Sequence, residues 1–444
     1  MNGARETAVI VLDRIEQSDA FAAAALEAEL ESLSDSREVS LANELVLGVL
    51  RRRSWLDHLL NSAAKKGINK LNPTVLNILR VAVYQLVFLK RIPARAVVSE
   101  AVNQTARSRV PRLKGLVNAL LRNLTRRDQD ELSLPVGDVA SNDITAMHEG
   151  LPVWIFAQMV EAHGHEFAVR AARAFNEPSI RTLRICTNKI SVDDALKRLG
   201  EAGKPGKHLP WSVTVSTRTA ARDLVNEGLA VFQDEGSGLV ALALNPQADD
   251  KILDACAGRG GKTGTLSAMT NGQAHITAVD RHKSKLDRLR FELKKQGLEA
   301  ETKIADLTVD AKDIPDKYER VLIDAPCSGT GTMGRRPEIR WRLTPQAVKS
   351  LERVQLSMLN NIADKVAPAG RLVYAVCSLL PQESAKHLSP FLKLHPEFAL
   401  VKDAPENWPL DIPWNNGRPI IDPGKTQTDG YSILCFEKAA NFKK

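Results

Sequence analysis

The stretch ILDACAGRGGKT, residues 252–263, decides the fold of the carboxyl-terminal half of this chain. Its apolar start is typical of a buried strand, its glycines form a loop, and its end begins a helix. From residue 233 onward strand and helix patterns alternate, with strands predicted at 251–255, 275–279, 301–304, 320–323, 370–376 and about 432–437. This alternation predicts a doubly wound, Rossmann-like α/β sheet.

The glycine loop predicts a ligand site at the carboxyl end of the first strand. Gly258, Gly260 and Gly261 let the backbone approach a ligand closely, and the following helix start offers free N–H groups. A P-loop requires a glycine where Cys256 stands, and a dinucleotide-binding loop requires one at Thr263. The remaining common occupant of such a loop is S-adenosylmethionine.

Two acidic residues at the ends of the next strands support this interpretation. Asp280 follows the loop by about 20 residues, where a carboxylate accepts hydrogen bonds from ribose hydroxyls. Asp306 ends the third strand and is placed to contact the adenine amino group. Either carboxylate could instead cap a helix, which is a common role of aspartate after a strand.

Two cysteines also follow predicted strands, Cys327 in VLIDAPCSG and Cys377 in RLVYAVCS. The alternative is that both are small buried hydrophobic residues. Asp324 lies three residues before the first, and this segment lacks the aromatic residue typical of adenine amino-group methyltransferases. Cytosine C5 reacts when a thiolate adds to C6 while a group at N3 and N4 takes up charge, so this residue set fits cytosine-5 chemistry.

The amino-terminal part is predicted to be all-α. Helical spacing over residues 4–124 predicts roughly seven helices in a domain of residues 1–128. Its basic residues favour a phosphate-binding surface, although solvated helix faces are the alternative. They are Arg51, Arg52, Arg53, Lys90, Arg91, Arg95, Arg107, Arg109, Arg112, Lys114, Arg122, Arg126 and Arg127. Residues 129–150 are predicted to be a linker, and residues 151–232 a small α+β RNA-binding module.

Composition narrows the functional classes. The 444 residues carry a formal net charge of +8, which favours a polyanionic partner. Five widely spaced cysteines without a CxxC pair indicate neither a disulfide framework nor a metal site. The longest apolar run, residues 75–89, is interrupted by Arg80, and the first residues are too charged for a signal peptide. We therefore expect a cytoplasmic protein that does not contact membranes.

Residues 233–440 resemble the RNA cytosine-5 methyltransferases. That family usually reads DxCAAPGGKT, DAPCSGxG and TCS where this chain reads DACAGRGGKT, DAPCSGTG and AVCS. The segments RRPEIRW, residues 335–341, and TDGYSILCFEK, residues 428–438, also match, and LANELVLGVLRRRSWLDHLL is similar to a NusB-like bundle. This fusion is characteristic of the Sun/Fmu (RsmB) branch, which acts on bacterial 16S ribosomal RNA.

The resemblance implies specific roles. Cys377 would be the nucleophile on a single-stranded or flipped cytidine, Cys327 would assist product release, Asp324 would hold cytosine N3 and N4, and Lys262 would lie nearby. S-adenosylmethionine would be held by Cys256, Ala257, Gly258, Arg259, Gly260, Gly261, Lys262, Asp280, Asp306 and Asp324. Gly258 and Arg259 depart from the usual alanine and proline, which puts the affinity for the methyl donor in doubt.

Two other functions remain open from the sequence. A tRNA cytosine-5 methyltransferase shares every catalytic motif and differs only in lacking the amino-terminal fusion. A catalytically silent RNA-binding assembly factor would use the basic bundle alone, although retention of both cysteines and the three aspartates argues against it.

Overall fold

The computed structural model describes residues 3–18, 20–132, 141–314 and 317–441. The chain forms two compact units. The first comprises Met1–Glu177 with Met333–Arg342, and the second comprises Pro178–Thr332 with Leu343–Lys444. In the described part of the chain, no helix is both long and apolar enough to cross a membrane.

The first unit is helical, as predicted. Its helices are α1 Ala4–Ser18, α2 Ala22–Leu30, α3 Ser36–Ala63, α4 Pro73–Phe88, α5 Ala94–Arg107, α6 Lys114–Leu124, α7 Gln129–Leu132, α8 Asn142–His148, α9 Val153–His163 and α10 His165–Ala174. Asn72 caps the start of α4 by accepting a hydrogen bond from Val75 N. Arg80 within this apolar helix is buried and forms ion pairs with Asp57 and Glu16, which explains a charge in the core.

The segment predicted as a linker, residues 129–150, contains two helices, α7 in its first part and α8 in its last part. Helix α8 occupies residues 142–148, where Ser141 accepts a hydrogen bond from Ile144 N. Ala146 is fully buried, so this helix packs as part of the unit. The α8 segment is too short and too polar to show helical periodicity. Packing against the rest of the unit stabilises this helix instead. Residues 133–140 of the predicted linker lie outside the described residues.

The boundary between the units also differs from the predicted domain limits of 150 and 232. Helices α9 and α10 pack with the first unit, up to Glu177. The buried Glu149 accepts hydrogen bonds from Arg173 Nε at 3.0 Å and, through its carbonyl oxygen, from Asn176 Nδ2 at 2.8 Å. These bonds attach the end of α10 to the residue that follows α8.

The second unit contains two sheets with helices around them. Its strands are β1 Arg181–Ile185, β2 Gly203–Pro205, β3 Ser212–Val215, β4 Ala230–Phe232, β5 Lys251–Asp254, β6 His275–Asp280, β7 Glu301–Ile304, β8 Tyr318–Asp324, β9 Val366–Val376, β10 Phe398–Leu400, β11 Ile420–Ile421 and β12 Tyr431–Lys438. Its helices are α11 Val192–Leu199, α12 Arg222–Asn226, α13 Glu235–Leu244, α14 Gly261–Met269, α15 Lys283–Gln296, α17 Pro345–Ala363, α18 Ala385–Leu394 and α19 Pro423–Thr426, while α16 Ile339–Arg342 belongs to the first unit.

The larger sheet has the order β10-β12-β9-β8-β5-β6-β7, with β11 paired to β12. Strands β5 to β9 pair in parallel, whereas β12 and β10 are antiparallel. The six predicted strands are all present, and the strand order reverses direction beside β5. This arrangement confirms the Rossmann-like α/β fold and places the ends of β5, β8 and β9 side by side.

The smaller sheet has the order β2-β3-β1-β4 and is antiparallel. Together with α11 and α12 it forms the α+β part predicted from the sequence. Arg184 on β1 is buried and donates hydrogen bonds to Gln233 and to Gln296 at the end of α15. These bonds fasten the small sheet to the larger one within the same unit.

Candidate active site

The two predicted catalytic cysteines lie next to each other. Strands β8 and β9 are parallel neighbours, and their register pairs Asp324 with Ala375. Cys377 directly follows β9, and Cys327 follows β8 by three residues. Their Sγ atoms are 3.3 Å apart, and both thiols are partly exposed. The hydrogen bond to Cys377, together with burial, raises the pKa of Cys327 well above its ordinary value, so Cys327 is a protonated thiol at neutral pH.

Lys262 and Asp324 form an ion pair beside this thiol pair. Lys262 is in the first turn of α14, and its Nζ atom lies 2.7 Å from Oδ2 of Asp324 and 5.1 Å from the ring centre of Tyr431. Burial opposes the charge on this lysine, but Asp324 and Tyr431 outweigh it and raise its pKa. Lys262 is therefore a buried ammonium group directed at a partly exposed carboxylate.

The glycine loop has the backbone that the sequence predicts. Gly258 and Gly260 have φ angles of +57° and +85°, in the left-handed region that favours glycine. A Cβ at Gly260 would lie 2.7 Å from Leu289, whereas one at Gly261 would meet no atom within 4 Å. The loop thus leaves open space at the amino end of α14, and the exposed Arg259 stands at its edge.

Asp280 is the last residue of β6, and Asp306 follows the end of the adjacent strand β7 by two residues. Oδ1 of Asp280 accepts a hydrogen bond from His282 N at 2.8 Å, and Oδ1 of Asp306 accepts one from Thr308 N at 3.0 Å. Each carboxylate thus binds a backbone N–H of its own turn, and neither takes the helix-cap role that the sequence left open, because His282 precedes α15 and Asp306 precedes a turn. Their other oxygens have capacity for a ligand, since a carboxylate accepts about four hydrogen bonds. Asp280 is 9% exposed, while Asp306 is open to solvent.

The structure adds two buried carboxyl groups that the motif analysis did not assign. Asp254 ends β5 and accepts a hydrogen bond from Thr263 Oγ1 at 2.7 Å, and burial raises its pKa to about 6. Glu383 is fully buried and accepts hydrogen bonds from Ser328 and Ser378, the residues that directly follow the two cysteines. A run of polar residues after β9 was the only signal for Glu383 in the sequence.

Three arginines of the predicted phosphate-binding surface are bonded to other residues of the first unit. Arg51 donates a hydrogen bond to Gly334 O, Arg52 donates one to His148 O, and Arg53 pairs with Glu16 at 3.0 Å. These half-buried side chains support the first unit, because each one is bonded to a partner within it. Arg127 is also half-buried and donates hydrogen bonds to Ser62 Oγ and Asn123 Oδ1. The exposed members are Lys90, Arg91, Arg95, Arg107, Arg109, Arg112, Lys114, Arg122 and Arg126. Two of them, Arg95 and Arg122, line one groove between α5 and α6 with a volume of about 640 Å³.

No group of His, Cys, Asp and Glu side chains suited to a metal ion occurs among the described residues. The fold and the site define an S-adenosylmethionine-dependent α/β methyltransferase. The model of the family "16S rRNA methyltransferase RsmB/F" matches residues 241–435, and that of the NusB family matches residues 2–126. The chain belongs to the RsmB/F methyltransferase family and carries a NusB domain at its amino terminus.

Relatives match over nearly the whole chain. The probable ribosomal RNA small subunit methyltransferase B of Bacillus subtilis (strain 168) is 31% identical over 451 residues, covering 98% of each protein. The ribosomal RNA small subunit methyltransferase B of Klebsiella pneumoniae (strain 342) is 31% identical over 418 residues, covering 93% of each.

Solved structures show the same fold. The crystal structure of PH0851 matches with a TM-score of 0.79 and 22% identity, covering 99% of both chains. NSun6 from Pyrococcus horikoshii, solved with the S-adenosylmethionine analogue SFG, matches with a TM-score of 0.57 and 18% identity, covering 66% of this chain and all of that one.

Proposed function

We propose that this protein methylates C5 of a specific cytidine in 16S ribosomal RNA through a covalent cysteine–C6 intermediate. The observation that carries the proposal is the pair of thiols 3.3 Å apart beside the Lys262–Asp324 ion pair. Two thiols and a carboxylate at one edge of a sheet are the groups that cytosine-5 transfer requires. The ribosomal substrate is favoured because relatives that match over nearly the whole chain are named as ribosomal RNA small subunit methyltransferases.

In the proposed reaction the Cys377 thiolate adds to C6 of the cytosine. The electron pair of the C5–C6 bond moves toward C5 and N3, so that C5 becomes an enamine carbon. Bound S-adenosylmethionine supplies an electrophilic methyl group on a sulfonium sulfur. After methyl transfer, a water molecule takes the proton from C5, which restores the C5–C6 double bond and expels Cys377 as a thiolate. Cys327, held as a thiol 3.3 Å away, assists this release by donating its proton to the departing Cys377 sulfur.

Asp324 and Lys262 are proposed to bind the cytosine edge. The Asp324 carboxylate accepts hydrogen bonds from the N4 amino group, and the Lys262 ammonium stabilises the negative charge that develops on the ring during addition. The target base has to be single-stranded or flipped out of a helix, because these groups and the thiols cannot reach a base that is stacked within a duplex.

The glycine loop and the strand-end acids are proposed to hold S-adenosylmethionine. The open space at Gly261 and the free N–H groups of α14 fit its amino-acid part, while Asp280 fits the ribose hydroxyls. The whole proposed set comprises Cys256, Ala257, Gly258, Arg259, Gly260, Gly261, Lys262, Asp280, Asp306 and Asp324.

The NusB domain is proposed to bind RNA through phosphates. The nine exposed basic side chains named above form this surface, while Arg51, Arg52 and Arg53 support the fold. RNA binding by the small α+β part and the cytoplasmic location remain predictions from the sequence.

Two cysteine variants test the mechanism. Cys377→Ala is expected to abolish both methylation and the covalent RNA adduct, because the attacking thiolate is gone. Cys327→Ala is expected to stop turnover yet leave methylated RNA bound through Cys377. Denaturing gels with labelled RNA separate these results. An adduct only in the Cys377 variant would reverse the assignment, and no adduct in either variant or the wild type would refute covalent catalysis.

The substrate is tested separately by bisulfite sequencing of ribosomal and transfer RNA from a deletion strain. Loss of one 5-methylcytosine from 16S RNA is expected. Loss from a tRNA instead would support the tRNA methyltransferase, and no loss from either would support the silent assembly factor.

A further inference from the structure

The carboxylate of Glu383 connects the two loops that carry the cysteines. Its Oε1 atom accepts a hydrogen bond from Ser328 N at 2.8 Å, and its Oε2 atom accepts hydrogen bonds from the hydroxyls of both Ser328 and Ser378. Ser328 directly follows Cys327, and Ser378 directly follows Cys377. One fully buried side chain thus holds the residue next to each thiol.

We propose that Glu383 is a positioning residue that sets the separation of the Cys327 and Cys377 thiols. The proposal rests on the proposed roles of these cysteines, and neither the motifs nor the family resemblance assigned Glu383 a task. Displacing either loop would deprive a buried carboxylate of one or more of its donors, which is costly in a low-dielectric interior. The two loops therefore have little freedom to move apart.

A second layer fixes the carboxylate itself. Gln355 Nε2 donates hydrogen bonds to Oε1 of Glu383 at 3.0 Å and to Pro326 O at 2.9 Å. Its amide oxygen then faces His387 Nε2 at 3.0 Å, so that ring nitrogen is the donor. Burial lowers the pKa of His387 to about 4, which keeps the imidazole neutral at physiological pH. Each side chain in this hydrogen-bond network therefore has a defined donor or acceptor role.

The hydrogen-bond pattern distinguishes two substitutions at this position. In Glu383→Gln the amide oxygen can keep the bonds from Ser328 N and Gln355, while the amide nitrogen donates to the two serine hydroxyls. Hydroxyl groups both donate and accept, so Ser328 and Ser378 only need to turn their protons. Glu383→Ala removes all of these links. Glutamine should therefore preserve the connection, and alanine should lose it.

The test uses full-length variants and two measurements, methylation kinetics and the binding of phenylarsine oxide. The arsenical bonds to two adjacent thiols with loss of one water, so its affinity reports their separation without requiring turnover. Glu383→Ala is expected to lower kcat by about 100-fold, as a displacement of about 1 Å does. The KM for S-adenosylmethionine should change less than about twofold, because Glu383 contacts none of the residues proposed to bind it. Arsenical affinity should fall at least about tenfold, and Glu383→Gln should recover both properties to within about tenfold.

Glu235→Ala is the matched control. Glu235 is 4% exposed and accepts backbone hydrogen bonds from Lys207, His208 and Leu209 in the same unit. The Glu235→Ala variant loses a comparable set of buried hydrogen bonds, but Glu235 contacts neither cysteine loop. We expect lower thermal stability with wild-type kcat and arsenical affinity.

Several results would overturn the proposal. Wild-type kcat and arsenical affinity in Glu383→Ala would do so, as would equal losses in the Glu235→Ala control. Should Glu383→Ala not fold, Ser378→Ala removes the hydroxyl that links Glu383 to the Cys377 loop, whereas Ser328→Ala keeps the bond from Ser328 N, so wild-type kcat and arsenical affinity in Ser378→Ala would refute the connection. Absence of a covalent RNA adduct in the wild-type protein would instead refute the cysteine roles, and the arsenical would still report whether Glu383 holds the thiols together.

Discussion

Replacing Asp280 with alanine tests the proposed donor site at a single position. The carboxylate uses Oδ1 for His282 N at 2.8 Å, and Oδ2 lies 3.4 Å from the half-exposed Lys285 ammonium. A carboxylate has about four acceptor positions, so about two remain for ribose hydroxyls. The side chain is 9% exposed, and water therefore competes little for these positions.

The expected loss follows from this count. A hydrogen bond to a charged group contributes about 1.5–3 kcal/mol, which corresponds to about a 10- to 150-fold weaker Kd for S-adenosylmethionine. RNA affinity should stay unchanged, because the contact belongs to the methyl donor. Isothermal titration calorimetry measures both values on the folded protein.

The control for this prediction is Asp310→Ala. Asp310 caps a similar turn through Lys312 N at 3.1 Å but does not end a strand of the sheet. Its removal should leave the Kd for S-adenosylmethionine unchanged. Equal donor affinity in the Asp280 variant and the wild type would mean that Asp280 only caps its turn, and the assignment of the ribose site would be wrong.

Three further predictions concern stability, packing and RNA binding. Burial raises the pKa of Asp254 from an ordinary 3.8 to about 6. The shift contributes about 3 kcal/mol to the free energy of unfolding, and this contribution is present below pH 3.8 and lost as the pH rises through 6. Asp254→Asn should flatten this part of the pH dependence in urea unfolding, and identical pH profiles would contradict it. In Gly331→Ala the new Cβ would lie 2.0 Å from Gly430 O, so thermal stability should fall by about 1–3 kcal/mol, and an unchanged Tm would count against this packing. The double variant Arg95→Gln, Arg122→Gln should lower the slope of log affinity for RNA against log salt by about two, and an unchanged slope would exclude the groove between α5 and α6.

The sequence predicts the geometry at the ends of β5, β8 and β9, where the candidate site lies, because its signals are local. A glycine loop after an apolar strand requires left-handed backbone, and Gly258 and Gly260 have it. The strand order of this fold brings the ends of β8 and β9 together, which is why Cys327 and Cys377 could be predicted as neighbours from segments 50 residues apart. The proposed cytosine-5 chemistry then follows from the residue types that these segments contain.

The sequence fails where a role depends on partners far along the chain. In the sequence, Arg51, Arg52 and Arg53 look like any other basic run. The structure shows that their partners are Gly334, His148 and Glu16, which are distant in the sequence. Helix α8 has too few residues to show a period, and its stability comes from burial of Ala146.

Glu383 shows the same limit at the site itself. Its donors come from one loop 55 residues earlier and from another only five residues earlier, so neither motif contains the connection. A buried carboxylate needs several donors to offset its desolvation, and here the donors are the residues that follow the two thiols. All the hydrogen bonds that offset the desolvation of this carboxylate form only when both cysteine loops are in place. The stability of the unit and the geometry of the thiol pair therefore depend on the same hydrogen bonds, which is why the arsenical measurement is needed to separate the two.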